Sequence, residues 1–284
     1  MKKIAFFLLS LALLLTGCAP EPENLHDPER IVIALLDSGV CADAIGSDHL
    51  LPGWNYVTQS ADTEDLLNHG TAVASTILGS QSAQVIGAAQ AAYLVPLVVV
   101  SQVEGETTGV SPEILAQAIR ESIDLYHADI ICVSLGILKE DAALLEAVRY
   151  AYAQNIPVLA AVGNDGAQGQ PLYPAAWDTV LAVGSCDQNG NPSEFSQDGA
   201  DVLAPGEDLL LASRSGRPYG VKGTSFAAGF AAAHGAKLLM EDPSLTPARL
   251  YEKLIEKARS CGRLSSLAMT LWQRCRSLSA QSNA

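Results

Sequence analysis

Ile31-Val32-Ile33-Ala34-Leu35-Leu36-Asp37-Ser38-Gly39 sets six apolar side chains in a row and then an acid. A strand covered on both faces reads as a continuous apolar run, whereas a half-buried strand alternates. The run therefore reads as a central strand of a parallel sheet. In an open parallel sheet, ligands bind beyond the carboxyl ends of the strands. An aspartate placed there is partly buried and must be hydrogen-bonded or paired. Taken alone, Asp-Ser-Gly is more commonly a turn or an N-cap.

Working outward, similar apolar runs fall at residues 94–100, 129–133, 158–162 and 180–183. Helical spacing separates them. Residues 112–126 carry Ile114, Leu115, Ile119, Ile123 and Leu125 on one face, with Ser111 as N-cap and Pro112 at the first helical position. Further helices are expected at 141–152 and from Thr246-Pro247 to about Ala258. Alternating strands and helices predict an α/β fold with a mostly parallel central sheet and helices on both faces.

The whole chain has 284 residues, 49% hydrophobic and 17% charged, with a formal charge of −14. That composition buries a large core and excludes general disorder. The acidic balance argues against nucleic acid as a partner and against electrostatic docking on anionic lipid. No cofactor is implied.

Three more stretches place reactive residues at strand ends or helix starts. Asn68-His69-Gly70-Thr71 precedes a run of small apolar residues, so His69 stands near the start of a buried helix. Gly223-Thr224-Ser225 opens a second helix of small residues, where free N–H groups favour negative charge at Ser225. Val162-Gly163-Asn164 ends a strand, and the Asn164 amide is able to donate into a cleft. Each has a bland reading: a structural histidine, an N-cap serine and a turn.

Together, in the order Asp37, His69, Asn164, Ser225, these motifs resemble the subtilisin-like serine proteases. The resemblance runs from about Ile31 to Ala258. Tyr173-Pro174-Ala175, Val183-Gly184-Ser185, Ala204-Pro205-Gly206 and Leu245-Thr246-Pro247 agree with it. It implies a subtilisin-like three-layer sandwich and a catalytic triad of Asp37, His69 and Ser225. Asn164 would stabilise the oxyanion, and Ser134-Leu135-Gly136 would hold substrate backbone opposite the loop near Gly109. The implied substrate is a peptide or protein, and a monomer is expected. Two other readings stay open: a dedicated processing protease for one exported peptide, and an inactive lipoprotein of this fold that binds peptides or partners.

The N-terminus reads as an address. Lys2-Lys3 precedes an apolar run from Ile4 to Leu15, too short to span a bilayer comfortably. Leu15-Thr16-Gly17-Cys18 resembles the lipobox of bacterial lipoproteins, which implies cleavage before Cys18 and acylation of it. The alternative is an ordinary secretory signal cut near Ala19. The expected organisation is a signal peptide at 1–17, an acidic Pro-rich tether at 18–30, a catalytic domain at 31–260 and a tail at 261–284. The expected location is the extracytoplasmic face of a bacterial membrane. Without Cys18, an odd number of the six cysteines remains, so at least one is free. Cys132 reads as a buried small hydrophobe, and Cys261 could bridge to Cys275.

The sequence departs from the family pattern in several places. Only residues 19–30 separate the anchor from the first strand, so folding is expected without a pro-domain or with a partner's help. Gly229 stands where proline is usual and Phe230 where histidine is frequent. Glycine inside a helix is expected to cost about 1 kcal/mol relative to alanine. The loop at 79–85 holds no acid, so no metal site is expected there. Leu172 falls near the floor of the P1 pocket, which predicts a shallow pocket for small or medium apolar side chains.

Overall fold

The computed structural model describes residues 30–260 apart from 47 and 104. Cys18, the signal peptide, most of the tether and the tail with Cys261 and Cys275 lie outside the described residues. In chain order the elements begin with β1 Val32–Asp37, α1 Ala42–Ile45, β2 Trp54–Asn55 and α2 Gly70–Ile77. A short hairpin follows, β3 Gly79–Ser80 and β4 Val85–Ile86, then β5 Tyr93–Val98. A second small hairpin is β6 Gln102–Val103 and β7 Glu106–Thr107. Next come α3 Pro112–Asp124, β8 Ile130–Val133, α4 Ala142–Ala153, β9 Val158–Ala161 and β10 Val180–Cys186. The chain continues through β11 Val202–Pro205, β12 Leu209–Ala212, β13 Pro218–Val221, α5 Thr224–Glu241 and α6 Pro247–Ser260.

Seven strands form one parallel sheet in the order β11-β10-β9-β8-β1-β5-β2. Residues of β1 face two cores in alternation. Ile33 and Leu35 pack with α2, α5 and α6, while Val32, Ala34 and Leu36 pack with α3 and α4. This is why β1 is apolar at every position from Val32 to Leu36. The strand order reverses between β1 and β8: β2 and β5 lie on one side of β1, and the chain then crosses over to lay β8, β9, β10 and β11 outward on the other. At such a switch point the loops diverge and leave a crevice. Asp37 ends β1 and Ser134 directly follows β8, so both stand at its mouth.

The helix starts follow from capping chemistry. Ser111 Oγ accepts from the Ile114 N–H at 3.3 Å, and Asp141 Oδ1 accepts from Leu144 N–H at 3.0 Å. α4 therefore starts at Ala142, one residue later than the sequence suggests, with Asp141 as its cap.

α5 is buried along most of its length, which its small residues permit. Gly229 corrects the expectation that glycine merely weakens this helix. A Cβ there would lie 2.3 Å from Thr76 Oγ1 and 3.0 Å from Val73 Cγ1 of α2. The absent side chain lets the two helices close on one another, so alanine is the costly residue here.

Cys41, Cys132 and Cys186 are buried free thiols. Burial raises all three pKa values, that of Cys186 to about 12. Among the described residues, no helix is long and apolar enough to cross a membrane.

Candidate active site

Asp37 is 1% exposed. Its Oδ1 accepts from the Ser38 N–H at 2.6 Å and from His69 Nδ1 at 2.7 Å. Its Oδ2 accepts from Ser134 Oγ. Burial pushes the Asp37 carboxyl up, but the His69 charge, with hydrogen bonds from His69, Ser134 and Ser38, outweighs burial and holds it below the usual value. For His69, burial pushes down, and the charge and hydrogen bond of Asp37, helped by Asp65, carry the ring above its usual 6.5. A carboxylate only accepts, so Nδ1 carries the proton and Nε2 is the basic atom. The imidazole side chain is 35% exposed and tilts against the Phe226 ring, with centroids 5.5 Å apart.

The histidine loop is held by a residue that the sequence reading missed. Asp65 is fully buried, and its Oδ1 accepts from Ser38 Oγ at 2.8 Å, Leu67 N–H at 2.9 Å and Asn68 N–H at 3.0 Å. Its Oδ2 accepts from Thr71 N–H at 2.8 Å. Ser38 Oγ in turn accepts from Gly70 N–H at 2.9 Å. One carboxylate thus ties the loop after β1 to both sides of His69. Asn68 takes a left-handed backbone at φ 67°, a region asparagine tolerates. Its Oδ1 accepts from Arg214 N–H at 2.6 Å and its carbonyl from Tyr219 Oη, which fastens the β12–β13 hairpin to the residue before His69. Gly70 must be glycine, because a Cβ would lie 2.1 Å from the Gly39 carbonyl oxygen.

Ser225 occupies the first turn of α5 and is 7% exposed. Its Oγ donates to the Ser134 carbonyl at 2.6 Å, and among the described residues it makes no hydrogen bond to His69. Catalytic hydrogen bonds are often looser without substrate. Ser134 therefore touches two members of the set, Asp37 through its hydroxyl and Ser225 through its carbonyl. The sequence reading gave it only a substrate role.

Asn164 has a fixed amide. Its Oδ1 accepts from Thr224 N–H at 2.9 Å and Thr224 Oγ1 at 3.1 Å. Thr224 Oγ1 also accepts from Gly163 N–H at 3.2 Å. The oxygen is therefore engaged, and Nδ2 is left as a donor at the cleft. The cleft has a volume of about 470 Å³ and brings together His69, Ser134, Leu135, Gly136, Asn164, Leu172 and Ser225, with Val110 beside the Gly109 loop. Gly136 lies tight against the Leu172–Tyr173 segment, where a Cβ would meet the Tyr173 carbonyl oxygen at 2.7 Å. Six of the seven residues assigned to triad, oxyanion or substrate from sequence thus line one crevice, and the seventh, Asp37, is buried behind it on His69 Nδ1.

A buried carboxylate, an imidazole and a helix-start serine at the switch point of a parallel sheet define a serine hydrolase of the Asp-His-Ser type. A family model described as the subtilase family of S8 peptidases matches residues 29–274. The chain is 30% identical to subtilisin DY of Bacillus licheniformis over 82% of its own length and 85% of that protein. It is 32% identical to subtilisin Savinase of Lederbergia lenta, covering 82% and 84% of the two chains. The solved structure of a cold-adapted subtilisin-like serine proteinase superposes with a TM-score of 0.71 at 28% identity, over 82% of this chain and 84% of that one. The chain belongs to the subtilase family and is a subtilisin-like serine protease.

Proposed function

We propose that this protein is a membrane-anchored, extracytoplasmic serine endopeptidase that cleaves through an acyl-enzyme at Ser225. The observation carrying catalytic competence is the intact chain of groups: buried Asp37 on His69 Nδ1, a basic Nε2 in the cleft with Ser225, and an Asn164 donor held beside them. Substrate pairs with the backbone at residues 134–136. The Ser225 hydroxyl leaves the Ser134 carbonyl and attacks the scissile carbonyl carbon as its proton passes to His69 Nε2. Asp37 stabilises the imidazolium. Asn164 Nδ2 and the Ser225 N–H donate to the oxyanion. His69 then protonates the leaving amine, and water, deprotonated by His69, releases the acyl group. Labelling of the full chain by a fluorophosphonate, lost in Ser225→Ala, is the expected result. An unlabelled, folded parent would favour the inactive peptide-binding alternative.

The P1 side chain lodges against Ala161, Gly163 and Leu172. Leu172 shortens this space, so small or medium apolar P1 residues are preferred. Rates on peptides with Ala, Leu, Phe or Lys at P1 test this, and a strong preference for Lys would overturn it.

The anchoring reading is supported by Lys2-Lys3, the apolar run and Thr16-Gly17-Cys18. Acyl chains on Cys18 would hold the enzyme at the membrane face without a spanning helix. Incorporation of a labelled fatty acid into the full chain should vanish in Cys18→Ala. Persistent labelling of that variant would sink the assignment.

A further inference from the structure

Behind the Gly163 wall stands a polar group that the triad chemistry does not use. Gln197 is 3% exposed. Its main-chain N–H donates to the Gly163 carbonyl at 3.2 Å, and its Nε2 donates to the Gln170 carbonyl. Its Oε1 is buried and, among the described residues, accepts no hydrogen bond. Rotating the amide would set Oε1 against the Gln170 carbonyl, two acceptors face to face, so the orientation is fixed. The orphaned oxygen lies where a side chain of Gly163 would be: a Cβ there would fall 1.5 Å from Gln197 Oε1 and 3.0 Å from Leu172 Cγ. Gly169 clears the other flank, since its Cβ would come within 2.6 Å of Gln197 Cγ. Gly163 and Leu172 both line the cleft. An unpaired acceptor therefore sits one layer behind the P1 wall, capped by a leucine.

A buried acceptor without a donor is costly, and such groups are rare in folded proteins. We propose that Gln197 is a specificity-determining residue, and that its Oε1 accepts a hydrogen bond from a P1 side chain ending in a neutral donor, the carboxamide of glutamine above all. Leu172 swings aside to admit it, a rotamer change within the reach of a half-buried side chain. The donor must be neutral because Oε1 is uncharged, and a desolvated ammonium there would lack a counter-ion. Asp165, also at the cleft, is solvent-exposed and is not this counter-ion. The preference for small or medium apolar P1 residues stated above thus holds while Leu172 keeps its place, and a P1 side chain ending in a neutral donor is the exception for which it moves. A site that is built to bond a polar group discriminates against the analogue lacking it.

The inference rests on the endopeptidase reading for the meaning of P1, and its test is separable from that reading. Two peptide substrates differ only in P1, Gln or Met, which are close in length. The ratio of their kcat/KM values, Gln over Met, is measured in the parent and in Gln197→Met, which keeps volume and removes the acceptor. The ratio should fall about tenfold in the variant. An unchanged ratio overturns the proposal. Should turnover be absent or Gln197→Met fail to fold, the affinities of Ser225→Ala for the two product peptides decide. The peptide ending in Gln should bind more tightly than the one ending in Met, and equal or weaker binding overturns the proposal. Absence of turnover alone counts against the endopeptidase reading, not against Gln197.

Discussion

On the Asp37–His69 side of the cleft, the hydrogen-bonding capacity of the carboxylates is nearly used up. Asp37 accepts from three donors and Asp65 from four. On the Ser225–Asn164 side it is held in reserve. The Ser225 hydroxyl rests on a carbonyl it must leave, and Asn164 keeps its Nδ2 unengaged among the described residues. The base needs one tautomer and one orientation throughout the cycle, so its surroundings are saturated and low in dielectric. The groups that meet substrate must have capacity to offer at the moment charge develops.

Removing a group from the reserved side should have the largest effect. Ser225→Ala should lower turnover by about 10⁶, the scale seen when a subtilisin loses its triad serine. Asn164→Leu should lower kcat by about 10²–10³ with little change in KM, since the bond forms in the transition state. Steady-state kinetics on one peptide reads both.

The saturated side should respond through geometry and pH. The base is neutral His69 and its pKa lies above 6.5, so kcat/KM should rise with pH through a midpoint above that value. Asp65 contributes to that elevation, so Asp65→Asn should move the midpoint to lower pH while reducing kcat about tenfold. An unmoved midpoint would reduce Asp65 to scaffolding. The same elevation has a stability counterpart. His69 stabilises the fold below the pKa of the unfolded ring, and this contribution is lost as pH rises through the folded value. The smallest effect on chemistry belongs to Gly229→Ala. It should cost about 1–3 kcal/mol by overpacking α2 against α5, read as a lower Tm with the pH midpoint unchanged.

The sequence made the central strands and the triad legible because both leave local marks. A strand buried on two faces is apolar throughout, and each triad residue sits where such a run stops or a small-residue helix starts. Less was readable at the sheet edges. β2 has two residues, and β11 ends in Pro205 and is fully buried only at alternate positions, so neither makes the continuous buried apolar run that marks β8 and β9. Asp65 escaped for another reason. It follows Asp62, Thr63 and Glu64, and nothing in that acidic stretch separates the buried carboxylate from its neighbours. Gln197 was equally silent, because its significance lies in the space two glycines leave. Gly229 was misread because a helix propensity says nothing about the neighbouring helix.

The three enclosed thiols give this protein an internal clock for its own breathing. A thiol sealed in the core reacts with an alkylating reagent only when its surroundings open, because the thiolate is the reactive form. Cys132 lies in the central strand beside β1, so its reaction requires the sheet to part. Cys41 hangs from Thr71 Oγ1 by its backbone and from the Arg214 carbonyl by its sulfur, so it reacts whenever the hairpin over the histidine loop lifts. The ratio of the two reaction rates, read by mass spectrometry without any added label site, would rank the mobility of the catalytic loop against that of the fold carrying it.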